Sequence, residues 1–217
     1  MDQPEETTEQ TADEVFLTAV VFESALGVLA LILGWALGPD PRALVPELNL
    51  EQWWPIASGL MYGALAAVPI LVIIEGVRRI PWEPIRELER LSDDPMIGTL
   101  LSLRPVELIL ISICAGIGEE LLFRGWMLNW FAGVGGTTEP SQFEFGLAVV
   151  GSSIAFGLMH PITKTYVVLA ALMGVYFGVL LLWTENLLIP IAAHATYDAV
   201  QLIWTARQQD EPEPTSD

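Results

Sequence analysis

Six apolar stretches, over residues 15–38, 55–77, 105–131, 143–160, 165–184 and 187–205, fill most of this chain. A helix needs about 20 mostly apolar residues to cross a bilayer, where every backbone polar group has to be satisfied internally. Each stretch approaches that length, although the third is interrupted by charges and the fourth is short. Apolar residues make up 53% of the 217 positions and mean hydropathy is +0.50, as in a membrane protein rather than a soluble domain. The expected fold is therefore all-α, a polytopic transmembrane helical bundle of about six spans. The first stretch is too long and too far from the terminus for a cleaved signal peptide, and no small-residue cleavage site follows it.

Charge organises the rest of the chain. Arg78, Arg79, Arg86, Arg90 and Arg104 lie between the second and third stretches, Lys164 between the fourth and fifth, and Arg207 after the sixth. Placing both termini in the cytoplasm puts these on one side and only Arg42 on the other, as the positive-inside rule favours. An integral, multi-pass protein of the cell membrane is expected. Net charge is −18, with acids crowded into residues 2–14 and again at Asp210, Glu211, Glu213 and Asp217. Residues 1–14 and 207–217 read as acidic disordered tails flanking an N-terminal part, 15–104, and a membrane core, 105–206. Such a surface excludes nucleic acid as a partner. Acid-rich and with the single lysine Lys164, it suits a salt-rich cytoplasm whose ions screen self-repulsion, and a halophilic archaeal source is the expectation. The lone Cys114 cannot form an internal disulfide.

The first two spans read as scaffold, each holding one acid. Glu75 is placed to pair with Arg78 or Arg79, whereas Glu23 lies nearer mid-span and needs a polar partner in the bundle, a proton or a role in a site. Gly34/Gly38, Gly59/Gly63 and Gly174/Gly178 have the small-xxx-small spacing that lets helix backbones approach in lipid. Between the second and third spans, apolar residues at 85, 88 and 91 predict a short amphipathic helix on the membrane surface.

Only two histidines occur, His160 and His194, and both sit in apolar surroundings with other charges. A charge at mid-bilayer costs roughly 3 kcal/mol even on lenient scales, so such residues mark a site. In the third span Glu120 and Arg124 are four apart and share a helix face, which predicts an ion pair. Glu119 points about 100° away from Glu120. It is left free to face a partner helix, where a carboxylate can act as general base. Gly116 and Gly118 allow a neighbouring helix or substrate to come close. Phe156 and His160 share a face at the end of the fourth span, before the helix-breaking Pro161. His194 and Asp198 share a face in the sixth, and an Asp there fixes the tautomer of the imidazole.

Glu119-Glu120-x-x-x-Arg124, Phe156-x-x-x-His160 and His194-x-x-x-Asp198, in that order on three hydrophobic spans, resemble the CAAX prenyl endopeptidase and bacteriocin-processing (CPBP, or Abi) family of intramembrane proteases. The likeness covers roughly residues 105–200. It implies that Glu119 and His160 activate a water, that His194 and Asp198 stabilise the oxyanion, and that Glu120 and Arg124 organise the site. The family's third motif ends in Asn or Asp, so Asp198 is within its pattern. Glu119, His160 and His194 also make a conceivable three-ligand zinc set. With no His-Glu-x-x-His helix present, a glutamate-activated water without metal is the favoured mechanism. The implied partners are the lipid bilayer and a peptide or membrane-protein substrate. The rival classes are a non-catalytic membrane scaffold or regulator and a small-ion or proton transporter.

Counting along the chain leaves a conflict. Glu119 is about 21 Å into the third span from its cytoplasmic end, whereas His160 closes the fourth span at that same side. They can meet only if one span projects past the other or the connection after His160 dips inward. The surface charge gives a separate test: thermal stability in detergent is expected to fall as KCl is lowered from molar to millimolar. Full folding at low ionic strength would contradict the salt-rich setting.

Overall fold

The computed structural model describes residues 11–47, 53–90 and 94–210. Helices occupy all six apolar stretches, and the described residues contain no strand. They are α1 (Ala12–Leu37), α2 (Trp54–Arg78), a continuous helical run from Pro105 to Ala132, α7 (Gln142–Leu158), α8 (Lys164–Thr184) and α9 (Leu188–Asp210). The long run consists of α5 (Pro105–Glu120), a π-helical segment (Leu121–Met127) and α6 (Leu128–Ala132). Two short helices, α3 (Glu83–Glu89) and α4 (Pro95–Leu101), precede it.

By length and composition α1, α2 and α8 are long and apolar enough to cross a membrane, and α4 with the 105–132 run makes a fourth candidate bent by 108°. Large apolar side chains such as Leu17, Ile32, Val72, Leu172 and Trp183 point outward, as expected of surfaces that meet lipid. The chain is an integral membrane protein.

Helix ends differ from the sequence boundaries where local hydrogen bonding extends them. α1 starts at Ala12 rather than 15 because Thr11 and Glu14 form a reciprocal capping box, with Thr11 N–H donating to Glu14 Oε2 at 2.9 Å. α9 continues to Asp210, so residues 207–210 are helix rather than tail. At the other end residues 12–14 are likewise helix and Thr11 caps it, while 1–10 and 211–217 lie outside the described residues. The amphipathic helix predicted at 85–91 is α3, with Ile85 buried; Leu91 lies outside the described residues. Glu75 pairs with Arg79 at 2.9 Å on the exposed end of α2.

α9 is the axis of the bundle, with α2 packed along one side and α5 along another. α1 covers α5, and α7 and α8 form a pair joined to the rest through α6, the π segment and contact of α8 with α9. In lipid the hydrophobic effect does not pull helices together, so close van der Waals contact has to. Glycine makes that contact possible on two flanks of α9. A Cβ on Gly63 would collide with the Ala192 methyl and the Ile189 carbonyl oxygen, and one on Gly116 with the Ile191 carbonyl oxygen and Ala195. Gly118 faces α1 instead, directly under the Glu23 carbonyl oxygen. Both glycines ahead of the acidic pair are therefore filled by neighbouring helices.

Enlarging these contacts separates helices. Gly63→Leu or Gly116→Leu should cost about 3 kcal/mol, the upper end of overpacking penalties. Gly76→Ala, which meets nothing within 4 Å, should stay within about 1 kcal/mol of the parent. Reversible unfolding in mixed detergent and SDS measures all three.

Candidate active site

Two consecutive carboxylates on α5 grip one imidazole from opposite sides. Glu119 and Glu120 diverge around the helix, and His194 of α9 lies between them. Its Nδ1 is 3.0 Å from Glu120 Oε1, and its Nε2 is 3.8 Å from Glu119 Oε2. Asp198, one turn further along α9, places Oδ2 3.3 Å from the same Nε2. Each ring nitrogen of His194 thus has a carboxylate to which an N–H can donate.

His160 approaches Glu119 from the other side, its Nε2 3.7 Å from Glu119 Oε1. α7 ends at Leu158, and its last turn leaves carbonyls without helical partners. The imidazole Nδ1 of His160 lies 2.8 Å from the Phe156 oxygen, which also accepts from the Met159 N–H at 3.2 Å. A carbonyl only accepts, so Nδ1 carries the hydrogen, and in the neutral ring Nε2 turns its lone pair towards Glu119. The helix end thus supplies the orienting partner that His160 lacked in the sequence.

The counting conflict resolves through helix lengths. Ala132 and Gln142 are joined by a short connection, and α7 packs back along α6. The 17 residues of α7 reach only as far as the middle of the 105–132 run, which is where Glu119 lies. α5 projects beyond the α7–α8 connection, and Glu119 meets His160 there.

Glu120 and Arg124 form the predicted ion pair, 2.8 Å from Oε1 to Nη1, with both side chains fully buried. The guanidinium is also walled by aromatic rings, its Cζ 4.3 Å from the Phe156 centroid and 5.4 Å from that of Phe177. Arg124 leaves the acidic pair through the π segment, a wider turn found mostly at functional sites. Asn129 braces that turn, its amide donating to the carbonyls of Arg124 at 3.1 Å and Gly125 at 2.8 Å.

All six residues singled out in the sequence converge here. Glu119, Glu120, Arg124 and His194 are buried, whereas His160 and Asp198 keep side-chain exposures of 23% and 28%, so the cluster opens on their side. Phe177 of α8 was not foreseen: it stacks on His194 at 5.2 Å with the planes 16° apart. Tyr166, 6.0 Å from the His160 ring, was likewise missed. Neither stands out among the other aromatics of apolar spans. Among the described residues, no three His, Cys, Asp or Glu side chains are arranged to hold a metal ion.

Comparison with known proteins finds a likeness over the stretch that carries this geometry. Residues 101–200 match the family model described as type II CAAX prenyl endopeptidase Rce1-like. That span holds every member of the cluster and ends two residues past Asp198. No curated protein and no solved structure matches the chain.

The buried pair gives a direct test. Arg124→Met strands the Glu120 charge and should cost about 3–5 kcal/mol, the usual penalty for orphaning one member of a buried pair. Adding Glu120→Gln removes that charge while keeping an acceptor for His194, and should recover a large part of the loss. Detergent unfolding of the two single variants and the double variant measures the coupling.

Proposed function

We propose that this chain is an intramembrane endopeptidase acting on a membrane-associated peptide or protein, a reading supported by the match of residues 101–200 to the CAAX prenyl endopeptidase family model. The observation that carries this reading is the placement of Glu119, with one carboxylate oxygen towards each imidazole at 3.7 and 3.8 Å. Both gaps exceed a direct hydrogen bond, so a water lying beside them can reach carboxylate and imidazole together.

In the proposed reaction that water donates one hydrogen to Glu119 and the other to the lone pair on His160 Nε2. Its oxygen attacks the scissile carbonyl carbon while Glu119 takes the proton. His194, held at Nδ1 by Glu120, donates from Nε2 to the developing oxyanion. Asp198 orients that N–H and, when it carries a proton, donates beside it. Collapse of the tetrahedral intermediate breaks the carbon–nitrogen bond, and the proton held by Glu119 passes to the leaving amine. Arg124 compensates the Glu120 charge, so that Glu120 stays an acceptor. The family name makes a prenylated C-terminal peptide the first substrate to try. The arginines between the second and third spans support a site towards the cytoplasmic face, with both termini cytoplasmic.

Glu119→Gln keeps the size of the side chain and removes the base. Cleavage of a farnesylated CAAX peptide by the purified protein in vesicles should fall by about 10²–10⁴-fold, with an unchanged circular dichroism spectrum. Activity equal to the parent would sink the glutamate mechanism and favour a scaffold that kept the cluster for structure. Cleavage should also survive dialysis against a zinc chelator; loss on dialysis and rescue by added zinc would contradict a metal-free site.

A further inference from the structure

α1 lies outside the residues that match the family model, yet it brings a seventh ionisable group to the cluster. Residues 16, 19, 20, 26, 30 and 33 of α1 pack into the bundle, and Glu23 falls on that same face at helical spacing. Its backbone carbonyl oxygen sits on Gly118, the residue before Glu119, where a Cβ would overlap it. Its carboxyl is half-buried and within electrostatic range of Glu119, His160, His194 and Asp198.

Among the described residues no lysine or arginine pairs with it. α1 contains no Lys, Arg or His, and Arg124 is engaged by Glu120. Among the described residues, Glu23, Glu119 and Asp198 thus share the two imidazoles, with Arg124 acting on Glu119 from the Glu120 side. Two carboxylate oxygens of this group, Glu23 Oε2 and Glu119 Oε2, are buried without a hydrogen-bond partner, and Glu119 is only 6% exposed. Leaving such atoms unpaired is costly, and a helix that needed only to pack could place an apolar residue at position 23. A positive group entering from the open side would complete the set.

We propose that Glu23 is a specificity-determining carboxylate which selects substrates carrying a cationic side chain beside the scissile bond. This rests on the endopeptidase reading and deepens it. At the separations of such a cluster, one added favourable charge contact is expected to be worth about tenfold in affinity.

The test uses three farnesylated peptides that differ only in a Lys, Gln or Glu next to the scissile bond, at one fixed salt concentration. Their cleavage by the full-length protein in vesicles is followed together with binding of the matching peptides with a reduced, uncleavable bond. The Lys peptide should be preferred over the Glu peptide by about tenfold in kcat/KM and in Kd. Glu23→Gln should bring the ratio close to one, Glu23→Asp should keep part of it, and Glu23→Lys should reverse it. A ratio near one in the parent, or a ratio that Glu23→Gln leaves untouched, overturns the proposal. A Glu23→Gln protein that is less stable but keeps the ratio marks a structural residue and overturns it as well. If no peptide is cleaved but the binding preference is present and lost in Glu23→Gln, the selectivity stands and hydrolysis falls.

Discussion

One buried carboxylate oxygen, Oε1 of Glu120, ties the site together. It accepts from Arg124 at 2.8 Å and lies 3.0 Å from His194 Nδ1, joining α5, the π segment and α9 in a single contact. With Nδ1 so held, the His194 ring has one orientation in which Nε2 faces Glu119 and Asp198. Phe177 fixes the plane of the ring by stacking on it, and Phe156 fills the space between the guanidinium and His160. Taking the Glu120 charge out of water is paid for by one full ion pair and two aromatic faces, and removing either partner exposes the cost.

Helix packing serves that contact. Gly116 brings the backbone of α5 against Ile191 and Ala195 of α9, close enough for Glu120 to reach His194. Gly63 does the same for α2 on another flank of α9. The short α7 ends level with Glu119 and delivers His160 just past its C-terminus, where the imidazole shares the Phe156 carbonyl with the capping Met159 N–H. Rigid helices thus aim the groups, and a helix end supplies the partly exposed one.

Much of this was legible in the sequence because lipid makes charge conspicuous. Glu119, Glu120, Arg124, His160, His194 and Asp198 each interrupt an apolar stretch, and the i, i+4 spacing alone predicted both the Glu120–Arg124 pair and the shared face of His194 and Asp198. That each apolar stretch is helical was legible because lipid demands internal satisfaction of the backbone. What stayed hidden depends on three-dimensional context. The π turn at Leu121–Met127 has no compositional mark, and its brace, Asn129, reads as an ordinary polar residue. Phe177 and Tyr166 are two aromatics among many. The meeting of Glu119 with His160 looked awkward because the third and fourth spans were counted from a common plane. The relevant anchor is the connection between α6 and α7, from which the two helices run back side by side.

The central claim is that these converging groups split a peptide bond with water. The most direct measurement supplies the purified protein, in vesicles prepared in heavy-oxygen water, with a farnesylated peptide and weighs the products by mass spectrometry. The account predicts a shortened peptide whose new carboxylate carries one heavy oxygen. A peptide recovered intact after prolonged incubation with folded protein, prenylated or not, would contradict it.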